Sequence, residues 1–152
     1  MAEALLAPCA MHDEAGDTNL AHATITGQIL GSFFEVHREL GHGFSEVVYR
    51  RALAIVLREA GLAATDEVPL RVHFRGAVIG TFRADLVVAG VVLVEIKAAA
   101  ILDSYAEVQL LNYLKAAGGG VGMLLNFGRS PAFKRRVVGE PWNSLPLLNR
   151  SF

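Results

Sequence analysis

The chain has 152 residues, 53% of them hydrophobic, a formal net charge of −1 and one cysteine, Cys9. That length suits a single domain with a real core, and the near-neutral charge confines any polyanion-binding surface to a local patch. A lone cysteine excludes an intrachain disulfide and offers no zinc ligand set, and no run approaches the ~20 apolar residues that span a bilayer, so a cytoplasmic protein without a membrane anchor or export signal is expected.

Residues 1–22 show no hydrophobic period and carry small and acidic residues such as Asp13, Glu14 and Asp17, which predicts a flexible tail. From Thr24 to Leu40 the spacing of Ile25, Ile29, Phe33, Val36 and Leu40 is helical, and Gly41 ends the helix. His37 lies on that apolar face and reads as a hydrogen-bonded core residue. A second helix is predicted over Phe44–Ala60, with Val48, Ala52, Ile55 and Val56 inward and Gly61 as its stop. Glu46 and Tyr49, three apart, share a helical face; on spacing alone Glu46 reads as an exposed first-turn glutamate favoured by the helix dipole.

Val68, Leu70, Val72 and Phe74 alternate with Arg71, His73 and Arg75, the period of a half-buried strand with one cationic face. Arg75-Gly76 turns the chain into a strand over Val78–Val88, with Arg83 expected on the side of Asp85. The next strand, Val91–Lys97, carries Glu95 and Lys97 on one face. Charges inside such apolar strands need partners, either one another or a metal ion. A two-residue turn at Ala89-Gly90 puts Asp85 and Glu95 on opposite faces, whereas a three-residue turn over Ala89–Val91 sets them directly opposite. The spacing leaves both open, along with a plain buried ion pair. Lysine occurs only at Lys97, Lys115 and Lys134, a weak hint that Lys97 is present for its amine.

Ser104-Tyr105-Ala106-Glu107 reads as a capping box opening a helix to Ala117, with Val108, Leu110, Leu111 and Leu114 apolar and Gln109 and Tyr113 at the edge of that stripe. Val121–Phe127 reads as a strand returning parallel to Val91–Lys97 through a crossover. Pro131–Val138 holds Lys134, Arg135 and Arg136 without an assigned element, and residues 141–152 are expected to pack irregularly.

The order helix, three strands, helix, strand, with Asp-x9-Glu-x-Lys on the second and third strands, resembles the PD-(D/E)XK nuclease superfamily. Gly43-Phe44-Ser45-Glu46-Val47-Val48-Tyr49 matches the Gly-x-x-Glu-x-x-Tyr signature of its GxxExxY branch, and Arg83-Ala84-Asp85-Leu86, Glu95-Ile96-Lys97, Gln109-Leu110-Leu111-Asn112-Tyr113-Leu114 and Leu125-Asn126-Phe127-Gly128 follow in that family's order. The resemblance implies a restriction-endonuclease-like α/β core over residues 23–140, a mixed sheet flanked by helices (α-β-β-β-α-β) with one extra N-terminal helix. It implies a metal-dependent nuclease in which Asp85, Glu95 and the Ile96 carbonyl hold Mg²⁺, with Mn²⁺ as a substitute, and Glu46 contributes from the helix. Lys97 would orient and help deprotonate the attacking water, Gln109 and Tyr113 would position it, and Arg83, Tyr49, Arg71 and His73 would meet substrate. The implied partner is nucleic acid, DNA before RNA, with a homodimer allowed. Ala106 departs from the resemblance, which leads one to expect a histidine there, and a catalytically idle binding module is the competing reading.

Overall fold

The computed structural model describes residues 22–141; Cys9 and nearly all of both expected tails lie outside that range. Among the described residues the chain forms helices α1 (Ala23–Leu40), α2 (Glu46–Glu59) and α3 (Ser104–Ala116) and strands β1 (Ala64–Phe74), β2 (Ala77–Val88), β3 (Val92–Lys97), β4 (Gly120–Asn126) and β5 (Ala132–Val138). The strands form one sheet in the order β1-β2-β3-β4-β5. Neighbours run antiparallel except β3 and β4, which are parallel and joined through α3. Pro69, which cannot donate to a ladder, sits on the edge strand β1, where proline is tolerated.

Helices cover both faces of the sheet. On one side Ile29, Phe33 and Val36 of α1 and Tyr49, Leu53 and Leu57 of α2 pack on Leu86, Val88, Val94, Ile96 and Met123. On the other, Ala106, Leu110 and Leu114 of α3 pack on Val68, Leu70, Ala84, Val87, Leu93 and Leu124. Burial on both faces explains why β3 and β4 read as continuous apolar runs. Gly122 gives α3 its close approach: a Cβ there would lie 2.8 Å from a Leu110 methyl.

Three expectations need correction. The inward stripe of α2 is Tyr49, Leu53, Ala54 and Leu57, while Val48 and Ile55 are exposed. Two helical stripes compete there, and the one carrying the larger side chains buries more apolar area. On α3, Val108 is likewise exposed, and the cap is Asp103, whose carboxylate accepts from the Ala106 N–H at 3.0 Å, rather than Ser104. The stretch left unassigned at 131–138 contains β5, which pairs along β4.

The decisive local feature is a phase break. In β2, Phe82 and Ala84 pack on the α3 side, yet Leu86 and Val88 pack on the α1/α2 side. In β1 the same change separates Val68 from Ala64. Between the pairs Asp66/Leu86 and Val68/Ala84 lies Glu67, held at φ 50°, a conformation disfavoured for a side-chain-bearing residue. Asp85 occupies the facing level of β2, where regular alternation is interrupted.

Candidate active site

The turn between β2 and β3 has three residues. Ala89 and Gly90 both take positive φ, 53° and 69°, and Val91 donates to the Val88 carbonyl at 3.1 Å. The resulting pairs are Val88/Val92, Val87/Leu93 and Leu86/Val94. One step further in that register sets Asp85 against Glu95. Side chains replace main chain at this step: Asp85 Oδ2 accepts from the Ile96 N–H at 2.7 Å, and the Asp85 N–H donates to Glu95 Oε1 at 3.3 Å. Each carboxylate is thus fixed by the other residue's strand.

Glu95 is 5% exposed. Burial first, and then the neighbouring Asp85 charge, push its carboxyl up to about 9, with the bond from the Asp85 N–H and the Lys97 charge opposing. Burial also raises Asp85, against the Ile96 N–H and the charges of Arg50 and Lys97. Two adjacent carboxyls that resist simultaneous ionisation make a site whose fully charged form calls for a cation. Lys97 extends from the end of β3 on the same face, and its ammonium donates to Gln109 Oε1 at 3.0 Å; Gln109 Nε2 in turn donates to the Tyr113 hydroxyl at 2.6 Å. One turn of α3 therefore aims the lysine. Burial and the Glu95 charge raise the Tyr113 hydroxyl, which keeps it protonated beside the carboxyls.

The loop after Lys97 is clamped. Asn126, 2% exposed, accepts from the Ala99 N–H at 2.9 Å and donates to the Ala99 carbonyl at 3.0 Å. Phe127 N–H donates to the Lys97 carbonyl at 2.8 Å. A Cβ on Gly128 would lie 2.5 Å from the Ala99 carbonyl oxygen. His37 has the structural role read for it, donating from Nε2 to the Gly128 carbonyl at 2.8 Å. The Leu125-Asn126-Phe127-Gly128 stretch thus holds the backbone that carries the lysine.

Other candidates do not join this cluster. Tyr49 is 0% exposed, stacked on Phe127 at 4.4 Å, and its hydroxyl donates to the Gly41 carbonyl at 2.7 Å while accepting from the Phe44 N–H. It shapes the turn before α2 and cannot meet substrate. Glu46 opens α2 as an exposed residue. No group of three His, Cys, Asp or Glu that could hold a metal occurs among the described residues, so Asp85 and Glu95 stand as a pair. Arg83 lies before the phase break, exposed between Phe82 and Ala84 that pack toward α3, so alternation directs it away from that helix. Arg71 and His73 were expected on one face, but a register shift between Val72 and His73 breaks their alternation. Ala106 is buried against the sheet and offers only its methyl.

Sequence reasoning missed Arg50. Its guanidinium bonds Glu67 at 3.2 Å, its charge favours the ionised form of Asp85, and its Nε is buried without a hydrogen-bond partner. Glu67, an acidic residue at the level of Asp85 on the neighbouring strand, was the available signal.

Comparison with known proteins adds the family. The search of curated proteins gave no match. A solved structure described as the crystal structure of SSO0001 is similar at 17% identity with a TM-score of 0.40, covering 86% of this chain and 60% of that one. This chain therefore spans about three fifths of that protein, and so loose a superposition adds nothing to the strand order described above. The sequence profile of the PD-(D/E)XK nuclease superfamily matches residues 23–137, from α1 to the end of β5. With its five-stranded mixed sheet between helices and Asp85, Glu95 and Lys97 on the second and third strands, the chain has a restriction-endonuclease-like fold and belongs to the PD-(D/E)XK nuclease superfamily.

Proposed function

We propose that this chain is a metal-dependent nuclease that hydrolyses phosphodiester bonds in nucleic acid, with DNA the first substrate to test, and that it falls in the GxxExxY branch of its superfamily. The observation that carries the reading is the Asp85–Glu95 pair, each carboxylate anchored to the other's strand, with Lys97 aimed alongside by Gln109. The donor set fits Mg²⁺ or Mn²⁺. A buried and a half-buried carboxyl that repel one another are hard oxygen ligands of the kind these ions take, as a backbone carbonyl such as that of Ile96 would be. Asp85, Glu95 and Ile96 would hold the ion, and Glu46 is left at most an outer role through water. When bound, it would lower the pKa of a coordinated water and neutralise charge growing on the phosphate.

The chain's own groups do the rest. Lys97 presents a positive charge to the attacking water and to a non-bridging phosphate oxygen, favouring loss of the water's proton as its oxygen bonds phosphorus. The water's proton passes to bulk solvent, and as the phosphorus–oxygen bond to the leaving nucleoside breaks, the leaving oxygen takes up a proton from solvent, giving a phosphate monoester and a hydroxyl. Gln109 and the protonated Tyr113 fix the lysine's direction. The domain assignment over residues 23–140 is part of the same proposal.

The absence of a three-ligand group among the described residues favours one alternative, an idle nuclease-fold module that binds nucleic acid or a protein without cutting. Labelled single-stranded, duplex and structured DNA and RNA, incubated with purified protein and Mg²⁺ or Mn²⁺, separate the two. Cleavage that disappears in Asp85→Ala supports the nuclease. Binding with no cleavage under either metal supports the module.

A further inference from the structure

We propose that the cavity between α3 and the outer half of β1 and β2 is a slot for an unpaired nucleobase beside the scissile phosphate, so that the substrate is single-stranded at the site. The inference rests on the nuclease reading for the identity of the ligand. The cavity has a volume of about 530 Å³ and is lined by Val72, His73, Phe82, Asn112, Tyr113 and Lys115, within the range of small-molecule sites. One wall is aromatic: the Phe82 and Tyr113 rings stack at 3.8 Å and 18°. The rim is cationic and polar, with Lys115, His73 and Asn112 all exposed. The register shift between Val72 and His73 accounts for two successive residues lining one cavity. Such a pairing of aromatic wall and basic rim recognises a base and its backbone phosphate without reading sequence.

The slot is also wired to the chemistry. Tyr113 lines it and accepts from Gln109, the residue that holds Lys97. A base seated there touches Tyr113 and is linked through Gln109 to Lys97. In a duplex the base faces are covered by neighbouring base pairs, so a ring wall inside a cavity is reached by an unpaired base.

Fluorescence anisotropy of labelled oligo(dT), oligo(rU) and a DNA duplex, measured with the full chain in EDTA, tests this without cleavage. Oligo(dT) is expected to bind about tenfold or more tightly than duplex, and oligo(rU) to behave alike, because the slot meets a base and not a sugar. A single abasic step moved along the shortest oligo(dT) that keeps full affinity, whose length fixes the register, should find one position where affinity falls about tenfold, the loss of one stacked base. Ala116→Trp, which fills the cavity from its edge, should erase that penalty. Lys115→Glu, on an exposed side chain, should weaken binding and reduce the salt slope by about 1, and serves if the tryptophan variant does not fold. A flat abasic scan, a preference for duplex, or a penalty that survives in well-folded Ala116→Trp overturns the slot. Cleavage with a flat scan leaves the nuclease standing and removes the slot. The full binding pattern with no cleavage under Mg²⁺ or Mn²⁺ removes the nuclease and keeps the slot.

Discussion

Helix α3 stands between two carboxylate clusters that were built on opposite principles. Toward β5, Glu107 meets two cations: its oxygens accept from Lys134 Nζ and Arg136 Nε, both at 2.6 Å. Lys134 first, then Arg136, hold that carboxyl below its ordinary range. On the side of β3, Glu95 faces Asp85, and burial and that like charge drive it the other way. Lys97 turns its ammonium to a neutral amide, Gln109. A fold able to neutralise Glu107 twice over leaves its most buried carboxyl pair under-compensated. The difference teaches where to look for chemistry: a satisfied cluster fastens α3 to β5, whereas the under-compensated pair is the one for which a cation is proposed.

The largest expected effect breaks the contrast at the lysine. If Lys97 merely neutralised Asp85 and Glu95, Lys97→Met would unfold the domain. The proposed role instead predicts a folded, metal-responsive protein whose cleavage rate falls about 10²–10⁴-fold. Asp85→Asn should lose metal response and cleavage together. Undiminished cleavage by folded Lys97→Met, measured in single turnover, would remove the lysine from the mechanism.

The next effect concerns pH. The Glu95 pKa rises from 4.5 to about 9 on folding, so its contribution is fully present below pH 4.5 and is lost as pH climbs toward 9. Metal-free protein should therefore lose stability over that window, by a few kcal/mol in order of magnitude, since one pKa unit corresponds to about 1.4 kcal/mol. Glu95→Gln should flatten the decline. Mn²⁺ at a hundredfold excess over Kd should restore about 2.7 kcal/mol to the wild type and far less to the variant. Denaturant melts between pH 5 and 9, with and without Mn²⁺, check both, and a wild-type stability that rises with pH over this range would contradict the assignment.

The smallest effect belongs to the satisfied cluster, and its sign is opposite. With its folded pKa lowered, Glu107 contributes stability above its ordinary pKa that is lost as pH falls through the lowered value. Glu107→Gln should lower the melting temperature by about 1–4 °C at neutral pH, less in high salt, and leave the Mn²⁺ response and cleavage unchanged. A lost metal response in this variant would show that the two clusters are coupled.

Much of the candidate site was legible along the chain because its residues violate local patterning. Asp85, Glu95 and Lys97 stand out as charges among β-branched residues, and Gln109 and Tyr113 as polar residues at the edge of an apolar stripe. Tyr49 was misjudged and Arg50 missed for one shared reason. Alternative faces of α2 are each plausible as a helical period, and only docking on the sheet selects the stripe of Tyr49, Leu53 and Leu57. That choice buries Tyr49 and turns its neighbour Arg50 toward Glu67. The strand β5 escaped notice because three consecutive cations mask its alternation. Two of those cations are explained by a partner, Glu107, 27 and 29 residues away in sequence.

By itself the sequence determined the three helices, the strands β1 to β4 with their crossover, and the residue types of the candidate site, since periodicity and burial cost act over a few residues at a time. It left the parity of the turn after Val88 open. The tertiary structure decided it, through Ala89 and Gly90 at positive φ and the Ala89 N–H donating to Ala63 at 2.8 Å, a contact made only when β1 lies beside β2. Packing likewise decided the phase break at Glu67 and Asp85, which lets β1 and β2 pack on α1 and α2 at one end and on α3 at the other. Register and facing are collective properties of a sheet. They follow from the summed burial of both faces, which no local stretch of sequence contains.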